Sequence, residues 1–200
     1  MLVITDFATE THANIITTII NDAYRVGEAD ILLDTPEDPF CRVTSDEVID
    51  MIQSQQLMVL KGRRDTNDDN EDEVLGCVKF EVLEEKHGDT FESIVEWGCL
   101  AVAAPYQGKG YGNILVTAVE EHIRSTLKCK TAQLEILAPS FWKHEHKERL
   151  RCWYQRMGYT TSVPDNYEAS TKSLPKGSVL GNRFFLLTDA DFTSYQKYLT

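Results

Sequence analysis

The sequence predicts an α/β fold in which a mixed central β-sheet carries helices on both faces. Three observations carry this expectation. Apolar residues follow period 2 in some segments and period 3.6 in others, giving the coarse order βααβββαβαβ(β) along the 200 residues. The run Phe91–Ala103 is apolar on both parities, as a central strand covered on both faces must be. Directly after it, a glycine-rich turn opens into Gly110–Lys128, a strong amphipathic helix signal. No internal repeat and no long linker interrupts the chain, so residues 1–200 are expected to form one domain.

Taken in order, Leu2–Phe7 reads as a first strand, and Glu10–Tyr24 as a helix with Ile15, Ile16, Ile19, Ile20 and Tyr24 inward. Arg25–Arg42, with Gly27, Pro36 and Pro39, reads as a long loop. Thr44-Ser45-Asp46-Glu47 is a capping box that starts a second helix through Val48, Met51 and Ile52. Leu57–Leu60 suits a strand, and the acidic Asp65–Glu73 a solvated loop. That loop is a poor calcium site, since Asn70 stands where the sharp-turn glycine belongs and Gly76 where the bidentate glutamate belongs. Val74–Leu83 alternates as a half-buried strand, with Val74, Val78, Phe80 and Val82 on one parity, and Glu84–Thr90 connects it to Phe91–Ala103. The helix Gly110–Lys128 turns Ile114, Leu115, Ala118, Val119, His122, Ile123 and Leu127 inward. Ala132–Ala138 is another strand. Lys143–Met157 is a helix with Leu150, Trp153, Tyr154 and Met157 inward and Gly158 at its C-terminal cap. Tyr159–Val163 begins a strand, Pro164–Gly181 is a polar excursion, and Arg183–Thr188 is extended. In the tail, Asp191–Leu199, periods 2 and 3.6 fit about equally, and a closing strand is expected.

Composition narrows the function classes. A formal charge of −12 argues against nonspecific nucleic-acid binding, which needs cationic side chains to neutralise phosphates. It permits a cationic substrate without requiring one. No window approaches the roughly 18–20 apolar residues of a membrane span, and the N-terminus lacks a basic segment followed by an apolar stretch. The expected setting is intracellular and off the membrane, the cytoplasm first, with the nucleus left open. The five cysteines, Cys41, Cys77, Cys99, Cys129 and Cys152, show no disulfide or zinc spacing, so free thiols and no metal site are expected.

Chemistry concentrates in Glu96–Gly112, where a buried strand runs through a glycine-rich turn into a helix. Gly108, Gly110 and Gly112 permit close approach, and successive backbone N–H groups with the helix N-terminus form an anion cradle with Lys109 at its rim. A bound phosphate or pyrophosphate is the expectation. The Walker pattern GxxxxGK[ST] is absent, and the glycines fall as GxGxG rather than the dinucleotide GxGxxG.

Gln107-Gly-Lys-Gly110-Tyr-Gly112 resembles the Q/R-x-x-G-x-G/A signature of the GNAT (GCN5-related N-acetyltransferase) superfamily. Leu100-Ala-Val-Ala-Ala-Pro105 is similar to that family's strand end, and Trp153-Tyr-Gln-Arg-Met-Gly-Tyr159 to its second motif. The resemblance is specific over Phe91–Tyr159 and implies a GNAT-type fold and transfer of acetyl from acetyl-CoA, a co-substrate, to an amine. It implies that Gln107, Gly108, Lys109, Gly110, Tyr111 and Gly112, with Asn113, hold the CoA pyrophosphate, and that the backbone of Leu100 and Val102 pairs with the pantetheine arm. Core packing also accounts for those last two side chains.

A lysine-like amine ionises with a pKa of about 10.4 in water, so a base must take its proton before it attacks a thioester. Glu96, a carboxylate inside an apolar run where an unpaired charge is costly, is the candidate, and its spacing matches a family glutamate. A carboxylate held at a strand bulge by an arginine or backbone amides is the other reading. The resemblance makes Tyr154 the candidate acid for the departing thiolate; an inward aromatic with its hydroxyl satisfied elsewhere is the alternative. Lys147 stands where many members carry a CoA-contacting asparagine, so that contact is not transferred. His144 and His146 diverge on a helix and lack a third ligand.

The acceptor, small molecule or protein, is not legible, because loops 25–42 and 164–181 hold no translatable motif; nor is the oligomeric state. From another class, the rival is a noncatalytic acyl-CoA-binding module of the same fold.

Overall fold

A computed structural model describes residues 2–63, 72–87, 90–162, 170–181 and 183–200. The chain forms two compact units, Met1–Tyr24 with Cys41–Lys130, and Arg25–Phe40 with Thr131–Thr200.

In the first unit, β1 (Leu2–Phe7), β2 (Leu57–Arg63), β3 (Glu73–His87) and β4 (Thr90–Val102) form an antiparallel meander. Helices α1 (Ala13–Gly27) and α2 (Ser45–Gln53) cover one face and α3 (Tyr111–Ser125) the other. The α1/α2 side holds the core: Ile16, Ile19 and Ile20 meet Val48, Leu57, Val59, Val74, Cys77 and Ala101. Each fully buried aliphatic side chain there contributes roughly 1.5–3 kcal/mol. On the other side Leu115, Val116, Val119 and Ile123 are buried, and the His122 ring meets Phe7 and Phe80 with centroids 5.2 and 5.0 Å away.

The expected capping box is present: Glu47 N donates to Thr44 Oγ1 at 3.2 Å, and Thr44 N to Glu47 Oε2 at 2.8 Å. Asn21 then ties the segment before α2 to α1, donating to Val43 O at 2.9 Å and accepting from Val43 N at 3.0 Å.

The second unit pairs β10 (Ala190–Tyr198) antiparallel with β5 (Thr131–Pro139) on one side and with β6 (Thr160–Thr161) and β7 (Thr171–Leu174) on the other. Helix α4 (Glu145–Arg156) packs on β5, and β8 (Val179–Leu180) and β9 (Phe184–Phe185) make a small hairpin. Leu33 N donates to Phe185 O and Leu187 N to Ile31 O, both at 2.9 Å, so the 25–40 segment is stitched to that hairpin by main chain.

The α/β class with helices on both faces is as expected, and the tail is a strand. Several details differ. The first helix is preceded by a single 3-10 turn, Glu10–His12, runs on to Gly27, and leaves Ile15 46% exposed. The β3–β4 ladder continues to His87 and Thr90, through residues read as a connection, because ladder hydrogen bonds are made by main chain whatever the side chains. The α3 stripe is Leu115–Val116–Val119–Ile123; Ile114 is exposed, and the helix stops at Ser125, shortly before Lys128 takes φ 57°. In α4, Leu150, Trp153 and Met157 are half-buried, and the buried pair is Lys147 and Tyr154. The strand expected over Tyr159–Val163 is only two residues long, and the excursion contains β7 and β8. Most of the acidic loop, residues 65–71, lies outside the described residues, while Arg63 Nε donates to Asp72 Oδ1 at 2.9 Å. None of the five cysteines is in a disulfide, and Cys152 is exposed.

Candidate active site

Strand β4 is not regular. Cys77 pairs with Ala101 but Lys79 with Gly98, so two steps on β3 answer three on β4. The extra residue is a β-bulge at Cys99–Leu100, and Cys99 has φ 47°. Sequence alternation does not reveal this, and it determines which face each side chain takes. Glu96 lies opposite Glu81, on the face that bears Lys79 and Gly98 and leads into the α1/α2 core at Cys77 and Ala101. The half-buried Glu96 thus shares a sheet face with a second carboxylate. Two carboxylates directly opposed across a ladder repel; Lys79, paired with Glu81, offsets that. Glu81 is legible in the sequence only as a polar position of an alternating strand.

Leu100 and Val102 are half-buried. The strand ends where Ala103 N donates to Leu75 O at 2.9 Å. A 3-10 turn, Ala104–Tyr106, then reverses the chain, and Gln107 Nε2 reaches back to Val102 O at 2.9 Å. Gly108 and Gly110 take φ 74° and 83°, conformations that cost an L-residue roughly 1–2 kcal/mol. A Cβ built on either glycine meets nothing within 4 Å, so the space above the turn is open. Gly110 is the N-cap of α3, and its carbonyl accepts from Asn113 N at 3.0 Å and Ile114 N at 3.4 Å. By helix geometry the N–H groups of Tyr111 and Gly112 point out of the helix end, toward its positive pole. Lys109 is exposed, with Nζ 5.1 Å from the Tyr106 ring centroid. An open, positively polarised turn built on two left-handed glycines fits an anionic phosphate group.

Tyr154 belongs to the second unit. Helix α4 ends in a Schellman motif: Gly158 N donates to Gln155 O and Tyr159 N to Tyr154 O, each at 3.0 Å, with Gly158 at φ 94°. Tyr154 and Tyr159 are the two residues that motif packs together, and their ring centroids are 6.2 Å apart. The sequence Tyr-x-x-x-Gly-aromatic is therefore a helix stop that fixes the tyrosine. Burial pushes the Tyr154 phenol well above its ordinary ionisation range, so it keeps its proton at neutral pH.

Lys147 is buried, although it is a charged residue in the first turn of a charged helix. Its Nζ donates to Glu28 Oε1 at 2.7 Å, with both side chains under a tenth exposed. Glu28 Oε2 and His144 Nδ1 are buried without hydrogen-bond partners, and His144 Nε2 lies 3.2 Å from Ala29 O. His146, with its Nε2 against Gly27, is held below the ordinary histidine range, first by burial and then by Lys147, Arg149 and His144. Among the described residues no three His, Cys, Asp or Glu side chains are grouped to hold a metal, and no helix is long and apolar enough to cross a membrane.

Fold and turn together define the architecture of an acetyltransferase. Residues 66–161 match the family model described as the acetyltransferase (GNAT) domain. The fold is similar to that of Arabidopsis thaliana NAA60 in complex with a bisubstrate analogue, with TM-score 0.67, 12% identity, and all of both chains covered. The acetyl-CoA complex of the same plant protein gives 0.65 and 14% over 99% of this chain and 100% of that one. Salmonella typhimurium yncA with acetyl-CoA gives 0.59 and 20% over 99% and 94%. No curated protein matches the sequence.

Proposed function

We propose that the chain is an N-acetyltransferase that moves the acetyl group of acetyl-CoA to a primary amine by direct attack. The observation that carries this reading is the open turn at Gly108 and Gly110, set between the bulged end of β4 and the N-terminus of α3. Acetyl-CoA supplies an activated acetyl thioester and a pyrophosphate by which it is held. Gln107–Gly112, with Asn113, hold the pyrophosphate through main-chain N–H groups, with Lys109 adding charge at the rim. The Leu100–Val102 backbone, which runs from the bulge to the end of β4, offers main-chain groups to an extended ligand arm.

Glu96 takes the proton that the acceptor amine gives up as its nitrogen bonds to the acetyl carbon, directly or through a water. Tyr154, a phenol that carries its proton at neutral pH, gives that hydroxyl proton to the departing sulfur. The carboxylates of Glu81 and Glu96 on one face favour a cationic acceptor. The test is acetyl-CoA titration beside steady-state transfer. Gly110→Asp, which sets a carboxylate in the cradle, is expected to abolish saturable binding. Glu96→Gln and Tyr154→Phe are expected to keep binding and lower transfer about 10²-fold or more. Transfer undiminished in both variants refutes those two roles. Binding with no transfer to any amine leaves an acyl-CoA-binding module instead.

A further inference from the structure

Helix α4 has a thin apolar stripe. Lys147 and Tyr154 are its buried residues, while Leu150 and Trp153 are half-buried. The buried two stand seven residues apart, about two turns along the helix and within about 20° of each other around its axis, so one face carries both. Apolar burial is non-directional and fixes the rotation of a helix only through shape. The Lys147 end of α4 is held differently, by a charge-assisted hydrogen bond of 2.7 Å between side chains under a tenth exposed. Glu28 Oε1 takes that bond and Oε2 has no partner, so turning Lys147 away would leave the whole carboxylate buried and bare.

The post to which α4 is tied is itself fixed. The Glu28 carbonyl accepts from Ile31 N and Leu32 N, each at 3.1 Å, and Ile31 and Leu32 are buried. Leu32 bridges Leu186, and the main-chain bonds of Leu33 to Phe185 and of Leu187 to Ile31 flank that bridge. A second tie runs beside the first, from His144 Nε2, at the N-cap of α4, to Ala29 O at 3.2 Å. Side-chain tips lie about 5–6 Å from a helix axis, so a turn of about 10° moves one by about 1 Å. Misplacing a reacting group by about 1 Å can cost about 10²-fold in rate.

We propose that the Lys147–Glu28 pair sets the rotation of α4 and thereby places the Tyr154 hydroxyl, which makes both of them positioning residues. The effect on transfer rests on the acid role given to Tyr154; the placement does not. The experiment puts meta-fluorotyrosine at position 154 of the full chain and, in a second preparation, a fluorophenylalanine at the buried Phe80 of the first unit. Fluorine NMR spectra are recorded for the wild type, Glu28→Met/Lys147→Met and Glu28→Gln. The double variant removes the directional bond without leaving a buried charge. Its melt should stay close to that of the wild type, with the line at 154 displaced and the line at 80 in place. Glu28→Gln, which keeps the shape of the side chain and loses its charge, should displace the line at 154 by less. For any amine that the wild type acetylates, kcat of the double variant should fall about tenfold or more with the KM for acetyl-CoA unchanged. In a Tyr154→Phe background, removing the pair should cost nothing further. A wild type that acetylates no amine, or a Tyr154→Phe variant of undiminished rate, ends the acid role and leaves the fluorine lines to decide. A line at 154 unmoved in both variants, or lines moved equally at 154 and 80, overturns the inference. So does a double variant with the kcat of the wild type.

Discussion

Replacing Lys147 by methionine tests the buried contact between α4 and the 25–40 segment. Methionine keeps most of the aliphatic stem and removes the ammonium. Glu28 is then left with side-chain exposure of 8% and both carboxylate oxygens without a cation, one of them already without a hydrogen bond. Removing one partner of such a pair costs roughly 3–5 kcal/mol, against about 0–1 kcal/mol for an exposed pair. With a urea m-value of about 2 kcal/mol/M, the unfolding midpoint should fall by about 1.5–2.5 M. The double variant Glu28→Met/Lys147→Met removes both charges and should recover most of that loss, because an apolar pair of similar volume is often neutral or better. Urea titrations of the wild type, two single variants and the double variant complete the cycle. A Lys147→Met cost below about 1 kcal/mol, or a double variant no better than the worse single one, refutes the burial argument.

Two further perturbations probe packing and protonation. A Cβ on Gly76 meets Ala101 O at 2.5 Å and Leu115 Cδ1 at 3.1 Å, so Gly76→Ala must move backbone and should cost at least about 2 kcal/mol. Gly98→Ala, where a Cβ meets nothing within 4 Å, should stay within about 0.5 kcal/mol; equal thermal shifts in the two would be contrary to the contact argument. His12, His122 and His146 are all held below the ordinary value of 6.5, chiefly by burial. Each binds its proton more weakly when folded, so its contribution is complete above about pH 6.5 and is lost as pH falls through the lowered folded values. Stability measured from about pH 7.5 to 5.5 should decline, and His146→Gln should flatten the decline; an unchanged slope would exclude His146 as a contributor.

Features set by local chemistry are legible in the sequence. The Thr44–Glu47 capping box, the Gly158 helix stop and the Gln107–Gly112 turn each need particular residues at fixed offsets, and each stands where its spacing indicates. Features set by pairing are not. Parity groups Val74 with Val78 and Phe80, but two steps on β3, Gly76 to Val74, answer the single step Leu60 to Lys61 on β2. Val74 therefore joins the α1/α2 core. No residue type marks that extra step, because it exists only relative to a neighbouring strand. Likewise Lys147 carries no local sign that Glu28, far away in sequence, will bury it. In the candidate site, the turn can be read from its glycines, but the face of Glu96 and its facing carboxylate require the ladder.

The bulge at Cys99–Leu100 gives β4 something like a reading frame. Glu96 and Ala101, an odd number of residues apart, lie on the same face only because one extra residue stands between them. Deleting a single residue there would hardly shorten the strand, yet it would turn everything before it over: Trp97 out of its buried position beside Phe80, and Glu96 to the side covered by α3. Substitutions along this stretch alter one side chain at a time, whereas a change in its length rewrites both faces at once. Chain length between Glu96 and the glycine turn is thus held more tightly than the identity of most residues within it.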